Sequence, residues 1–189
     1  RNADWTRVAV PRKHRRMTRQ LDLRSGLLRE DGPLTALRFS SLARPGTVAL
    51  RVRTEHGDAL PSGRRRSVGP VTLVVRDRRN GGSFERLGAY DPDAAVAEEL
   101  LAGAEAAGFE RLLREQRETW ARRWRNADVV VEGDAELQRA IRFALHHLIA
   151  SVGARGEAAV GARGLSGSAY RGHVFWDTDV FVLPFLAAT

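Results

Sequence analysis

The chain of 189 residues contains no cysteine. A disulfide scaffold and thiolate metal sites are therefore excluded, and a reducing, cytoplasmic home is favoured. Lysine is almost as scarce: Lys13 is the one lysine among 31 basic residues, the rest being arginine. With 23 acidic residues the net charge is +8, which at first points to nucleic acid or an anionic surface. So complete a replacement of Lys by Arg looks instead like the coding bias of a GC-rich genome, and neither nucleic acid nor membrane is expected as a partner. Long apolar runs are missing as well. The longest, Val180 to Ala188, falls far short of the roughly 20 residues that span a bilayer, and Pro184 interrupts it. Arg1 to Trp5 carry no signal-peptide apolar core. Neither a G-x-x-x-x-G-K-[ST] nor a G-x-G-x-x-G phosphate loop occurs, and no G-x-S-x-G nucleophile elbow.

What is present is an ordinary globular balance, 43% hydrophobic and 29% charged, enough for a substantial core. Residues 1–90 read as β structure. Thr47 to Arg53 alternates apolar and polar residues, the period of a half-buried strand. Pro70 to Arg76 is a β-branched run, and Asn80-Gly81-Gly82 is a turn into Ser83 to Leu87. Gln20 to Leu28 and Leu34 to Phe39 give two more strands, and such a series predicts a β-sandwich. His56 to Ser67, rich in Gly, Pro and Arg, reads as a loop. The basic clusters Arg12 to Arg16 and Arg64 to Arg66 read as solvated loops, since neither is interleaved with aromatics.

At Asp91 the pattern turns helical. Asp91 with Pro92 can start a helix that Gly108 stops. A second helix follows from Phe109, with Leu112, Leu113, Trp120 and Trp124 near one face. After an extended link, Val129 to Val131, Asp134 can cap a third helix bearing Leu137, Ile141, Leu145 and Leu148 on one stripe. Its adjacent histidines, His146 and His147, diverge by about 100°. They cannot chelate one metal as an i, i+4 pair would, and one of them is expected to face the core. These shifts place a β-sandwich at 1–90, a helical linker at 91–127, and the beginning of a helical domain at 128–189. The apolar end, Val180 to Ala188, suggests that the functional protein continues past Thr189.

The densest chemistry lies between Gly161 and Asp179. An indole can stack on the apolar face of a pyranose, and a carboxylate can accept charge-assisted hydrogen bonds from adjacent hydroxyls. Trp176 and Asp177 form such a pair, with Phe175 beside them. An equally good reading makes Trp176 a core aromatic and Asp177 a helix cap. Arg163, Arg171 and His173 could meet an anion or bond loop carbonyls instead.

Gly161-Ala162-Arg163-Gly164-Leu165-Ser166-Gly167 and Tyr170-Arg171-Gly172-His173-Val174-Phe175-Trp176-Asp177-Thr178 closely resemble glycoside hydrolase family 65. Trp120 and Trp124 resemble its W-x-x-x-W, Asp128 to Val131 its short link, and Gln138 to Leu148 its Q-x-x-x-R-F-x-x-x-x-L helix. Leu21 to Gly26 and Arg38 to Ser41 resemble strands of its N-terminal sandwich. The resemblance implies a β-sandwich, a helical linker and an (α/α)6 barrel of which only the first helices are present. It implies inverting cleavage of an α-glucosidic disaccharide, either by phosphate to give β-glucose 1-phosphate or by water. Trp176 and Asp177 would hold the glucosyl unit. Where the family usually has Glu after the Thr, this chain has Asp179. The family's general acid and phosphate loop match no residue here, so no catalytic residue is assigned and the chain alone should be inactive. Disaccharide and phosphate are the implied partners, a homodimer is suggested by analogy, and no cofactor or metal is expected.

Overall fold

The structure is a computed structural model that describes residues 5–6, 18–32, 34–54, 63–67, 71–80, 83–152, 159–164 and 169–189. The chain forms two compact units, Arg1–Arg117 and Glu118–Thr189. The first holds seven strands: β1 (Thr18–Asp22), β2 (Leu27–Asp31), β3 (Leu34–Ser40), β4 (Thr47–Thr54), β5 (Gly63–Ser67), β6 (Thr72–Asn80) and β7 (Ser83–Asp91). They pair antiparallel in the order β1-β2-β3-β4-β7-β6-β5. Among the described residues this is one sheet, where the sequence suggests two facing ones.

Gln20 to Leu28 is not a single strand but a hairpin. Asp22 folds the chain back: its carbonyl accepts from Gly26 N at 2.8 Å, and its carboxylate accepts from Arg24 N and the Ser25 hydroxyl. Gly26 takes the left-handed φ of 62° that closes the turn. The expected loop at His56 to Ser67 ends in a strand, because Gly63–Ser67 pairs along β6. Arg64 to Arg66 therefore belong to β5 rather than to a loop. The pairing of Asn80 with Ser83 is what a two-residue hairpin requires, although Gly81 and Gly82 lie outside the described residues. So do Arg12 to Arg16.

The central strands are buried on both faces, while β1 at one edge is exposed along its length. One face packs Phe39, Ala49, Val74, Leu87 and Ala89 against a long helix, α1 (Ala94–Ala127), which contributes Ala97, Leu101, Ala104, Phe109 and Leu112. The other face holds Leu34, Ala36, Leu50, Val52 and Phe84, with Trp5 packed on it. Thr47 to Arg53 is thus no half-exposed strand. Its Arg51 lies beneath α1, 3.9 Å from the centre of the Phe109 ring, and donates to Glu85 at 2.7 and 2.9 Å and to Glu110 at 2.6 Å. On the opposite face, the buried Arg86 forks onto Asp77 at 2.6 and 2.9 Å and donates to the Trp5 carbonyl at 2.8 Å. Arginine's planar fork satisfies a buried carboxylate in this way.

The start of α1 falls slightly later than the sequence suggests. Asp93, not Asp91, accepts from the first turn, taking Ala95 N at 2.7 Å, while Asp91 accepts from Asp93 N at 2.8 Å. Gly108 breaks the helical geometry with φ 74° and ψ 164°, which matches the expected stop and restart at Phe109. Beyond that break, Gln116 is 1% exposed. Its amide donates to the carbonyls of Ser25 and Ser40 and accepts from Leu42 N at 2.8 Å. One residue earlier, Glu115 receives a bidentate Arg44 at 2.7 and 2.9 Å, with Arg111 at 2.9 Å.

In the second unit, α1 ends at Ala127 and α2 (Ala135–Ala150) begins behind the expected cap: Asp134 accepts from Glu136 N and Leu137 N at 3.0 and 2.9 Å. The intervening link is laced to α2. Arg142 forks onto Asp128 at 2.8 Å twice, and Gln138 accepts from Val131 N and donates to the Val129 carbonyl. The Q-x-x-x-R spacing is therefore used to hold the link. Trp120 and Trp124 are buried, and Trp120 stacks on His146 at 4.5 Å and 12°. Of the stripe on α2, Ile141, Leu145 and Leu148 are half-buried and Leu137 is 47% exposed, while His146 and Ile149 are the buried residues. A π-helical turn, Thr178–Val182, leads into α3 (Leu183–Ala188).

Two outcomes follow from these contacts. Gln116→Leu strands three buried backbone groups and should cost about 3 kcal/mol of unfolding free energy, measured as a lower urea midpoint with an unchanged slope. The Arg44 hydrogen bond holds the Glu115 carboxyl down at about 2, against its ordinary 4.5. A depressed carboxylate contributes stability above its unfolded pKa and loses it as pH falls toward the folded one. The melting temperature should therefore fall less in Glu115→Gln than in the parent as pH drops from 4.5 toward 2, as followed by circular dichroism.

Candidate functional site

The second unit contains a cavity of about 320 Å³. One wall is α2 and its C-cap, through Ala144, His147, Leu148 and Ser151, positions spaced i, i+3, i+4 and i+7. A second wall is the turn Val160 to Gly164. Gly164 closes that turn, with its N–H 2.8 Å from the Gly161 carbonyl and a left-handed φ of 54°, and it sits where a Cβ would press on Ser151 at 3.3 Å. This turn brings Arg163 to the cavity. The third wall is Asp177, Thr178, Phe181 and Val182. Thr178 ties the second and third walls together by donating its hydroxyl to the Val160 carbonyl at 3.1 Å.

Asp177 is the polar centre of interest. It precedes the π-helical turn, yet its side chain makes no capping hydrogen bond. Its Oδ1 is buried and has no hydrogen-bond partner. Of the two readings of this residue, the cap is the one the geometry does not realise. Burying a carboxylate oxygen without a donor is costly, and a ligand carrying hydroxyls would supply the donor.

The other expected site residues scatter around this cavity. Arg163 lines it. Trp176 does not: it is 70% exposed, with its ring 6.4 Å from that of Phe181, so it is not a core aromatic. Phe175 is exposed and meets Tyr170 edge-on at 5.4 Å. Arg171 and His173 are exposed. His173 anchors the turn through its backbone, giving its N–H to the Tyr170 carbonyl at 2.9 Å and accepting from Ala162 N at 3.4 Å. Tyr170 and Arg171 both take left-handed φ values, 61° and 50°, a conformation that side chains other than glycine rarely adopt. Leu165 to Ser168 lie outside the described residues. Asp179 is exposed. Two neighbouring histidines part as expected, with His146 buried on Trp120 and His147 turned to the cavity, their rings at 85°.

Residues 142–189 match the glycosyl hydrolase family 65 central catalytic domain. An alpha,alpha-trehalose phosphorylase from Thermoanaerobacter brockii is 44% identical over 95 residues, which is 50% of this chain and 12% of that protein. A kojibiose phosphorylase from Caldanaerobacter subterraneus subsp. tengcongensis is 43% identical over 79 residues, 41% of this chain and 10% of that protein. The matched part of the chain thus covers only about a tenth of the length of these relatives. A solved protein described as "Putative kojibiose phosphorylase from human microbiome" superposes with a TM-score of 0.70 over 89% of this chain and 32% of its own, at 19% identity; it shares the fold. The resemblance to family 65 read from Gly161 to Thr178 therefore stands on its catalytic-domain pattern and on curated relatives alike.

Because Asp177 caps nothing, Asp177→Ala should leave the melting temperature unchanged or raise it in a calorimetric scan. Loss of a real N-cap would instead cost about 1 kcal/mol.

Proposed function

We propose that the chain belongs to an enzyme that cleaves an α-glucosidic disaccharide with inversion, by phosphorolysis to β-glucose 1-phosphate and glucose. The observation that carries this reading is Asp177: a buried carboxylate oxygen without a partner, on a cavity inside the segment that matches the catalytic domain. Its role is to accept hydrogen bonds from sugar hydroxyls and hold the ring while another group protonates the glycosidic oxygen. Apolar walls from Leu148, Val160 and Phe181 suit the C–H face of a pyranose. The exposed indole of Trp176 and the ring of Phe175 offer stacking surface outside the cavity. Arg163 is a candidate support at the site, and Arg171 and His173 support the turn that carries it. No residue of this chain is assigned the acid's role.

With this reading go an N-terminal β domain at 1–90, a helical linker at 91–127 and the first helices of an (α/α)6 barrel from 128. The co-substrate is inorganic phosphate, without a further cofactor, in a cytoplasmic protein that could pair as a homodimer. Water in place of phosphate would make the enzyme an α-glucoside hydrolase on the same scaffold.

The test is to incubate the full-length protein with trehalose, maltose, kojibiose and nigerose, with and without phosphate, and to measure glucose 1-phosphate and free glucose. Phosphate-dependent glucose 1-phosphate supports phosphorolysis and names the linkage. Free glucose irrespective of phosphate replaces it by hydrolysis. In the active protein, Asp177→Asn should lower kcat/KM at least about 100-fold, because a positioning contact is lost at the reacting ring. Near-normal turnover in that variant would remove Asp177 from the site.

A further inference from the structure

The cavity has a second polar side chain, a solvent-exposed one, whose ring bonds to no protein group among the described residues. His147 lines it. Its ring meets Phe143 edge-on at 4.4 Å and His146 at 5.5 Å, contacts that fix the ring plane without engaging either nitrogen. No hydrogen bond to the His147 ring is made among the described residues. The other polar group that α2 contributes to the cavity, the Ser151 hydroxyl, is already committed to the Leu148 carbonyl at 2.9 Å.

The cavity thus offers three different polar functions. Asp177 only accepts, Arg163 only donates, and a neutral imidazole does both. A ligand that answers all three must carry groups able both to donate and to accept, at more than one position. Vicinal hydroxyls on a ring have that property; a bare anion or cation does not. At about 320 Å³ the space lies at the small end of the range of ligand pockets, roughly 300–1,000 Å³, which suits one sugar ring better than a chain of them.

We propose that His147 is a specificity-determining residue of this cavity, selecting the bound ring by hydrogen-bonding one of its hydroxyls while Asp177 takes others. The inference rests on the sugar-binding reading of Asp177. It assigns His147 contact with the sugar and no part in proton transfer. The histidine stands one position from the buried, Trp-stacked His146, so the helical period turns it off the core to the exposed side, where it lines the cavity.

The experiment is a calorimetric titration of the full-length protein with glucose and with a series of monodeoxyglucoses. It compares the parent, His147→Phe, His147→Gln and Asp177→Asn. His147→Phe should weaken glucose binding at least 10-fold, and His147→Gln, which keeps a donor and an acceptor, should stay within about 3-fold of the parent. One deoxyglucose that binds the parent poorly should bind His147→Phe as well as glucose does, a loss of discrimination that a merely structural role would not produce. If His147→Phe binds glucose like the parent while Asp177→Asn is impaired, the assignment of His147 is overturned and the sugar site stands. If His147→Phe and His147→Gln weaken binding equally, with discrimination among the deoxyglucoses retained, the assignment is likewise overturned. If the parent binds no glucose, the sugar-binding reading falls and this inference falls with it.

Discussion

A single amide seals the first unit. Gln116 sits at 1% exposure where the β1–β2 turn, the end of β3 and α1 converge, and it answers one N–H and two carbonyls that strand pairing leaves over. Backbone groups in turns and strand ends cannot be buried without partners. A helix can therefore lie across them only if it carries a side chain with both donors and an acceptor at the right place. Asn is too short by a methylene, and Glu lacks the donors. With this junction satisfied, Phe109, Leu112 and Leu113 can reach the sheet without stranding polar groups above it. The Arg44–Glu115 fork beside it holds the same stretch of α1 from the solvent side.

The arginine excess has a structural use that composition alone does not disclose. Arg38, Arg51 and Arg86 are each more than four-fifths buried, and each meets a carboxylate at least as buried as itself. Lysine in these places would offer a point charge where a planar fork and a ring-stacking face are needed, as Arg51 between Glu85 and Phe109 illustrates. Such pairs need not add net stability, since desolvation offsets much of their attraction. Their polarity does constrain register, because a one-residue slip of β4 against β7 would separate Arg51 from Glu85, its cross-strand partner. Part of the basic charge is thus consumed inside the molecule, which weakens the case for a single cationic face.

Elements set by local chemistry were the ones visible in the sequence. Asp134 as a cap, Gly108 as a break, and the split between His146 and His147 all follow from backbone geometry and helical period. What escaped depends on partners distant along the chain. Gly63–Ser67 has turn-like composition and becomes a strand only because β6 presents an edge to it. The alternation at Thr47 to Arg53 indicated a half-exposed strand, because nothing local reveals that Arg51 meets Glu85, thirty-four residues away. The hairpin at Asp22 has a local signal, an Asp with Ser25-Gly26 three and four residues on, that matches an Asx turn but is masked by the leucines on either side. At the site, Asp177 and Arg163 were legible as residue types; that they share a cavity while Trp176 stays outside it required the turn at Gly161 to Gly164. For His147 the sequence signal is its place on the 144/147/148/151 face, which local pattern alone does not connect to a cavity.

The cavity's chemistry narrows what Asp177 can be for. A lone buried carboxylate oxygen favours some external donor, and three classes could provide one: a cation, a basic peptide group or a hydroxyl. A divalent cation would call for several oxygen or nitrogen donors converging on one point, whereas Asp177 shares this cavity with the guanidinium of Arg163. A basic group would share the cavity with the cationic Arg163, a like charge placed against it in a partly enclosed space. A hydroxyl carries no charge to be repelled, donates to the carboxylate and accepts from the guanidinium in one stroke, and leaves ring C–H surface for Leu148, Val160 and Phe181. The polar groups and the apolar walls thus both suit the sugar ring proposed above as the ligand of Asp177.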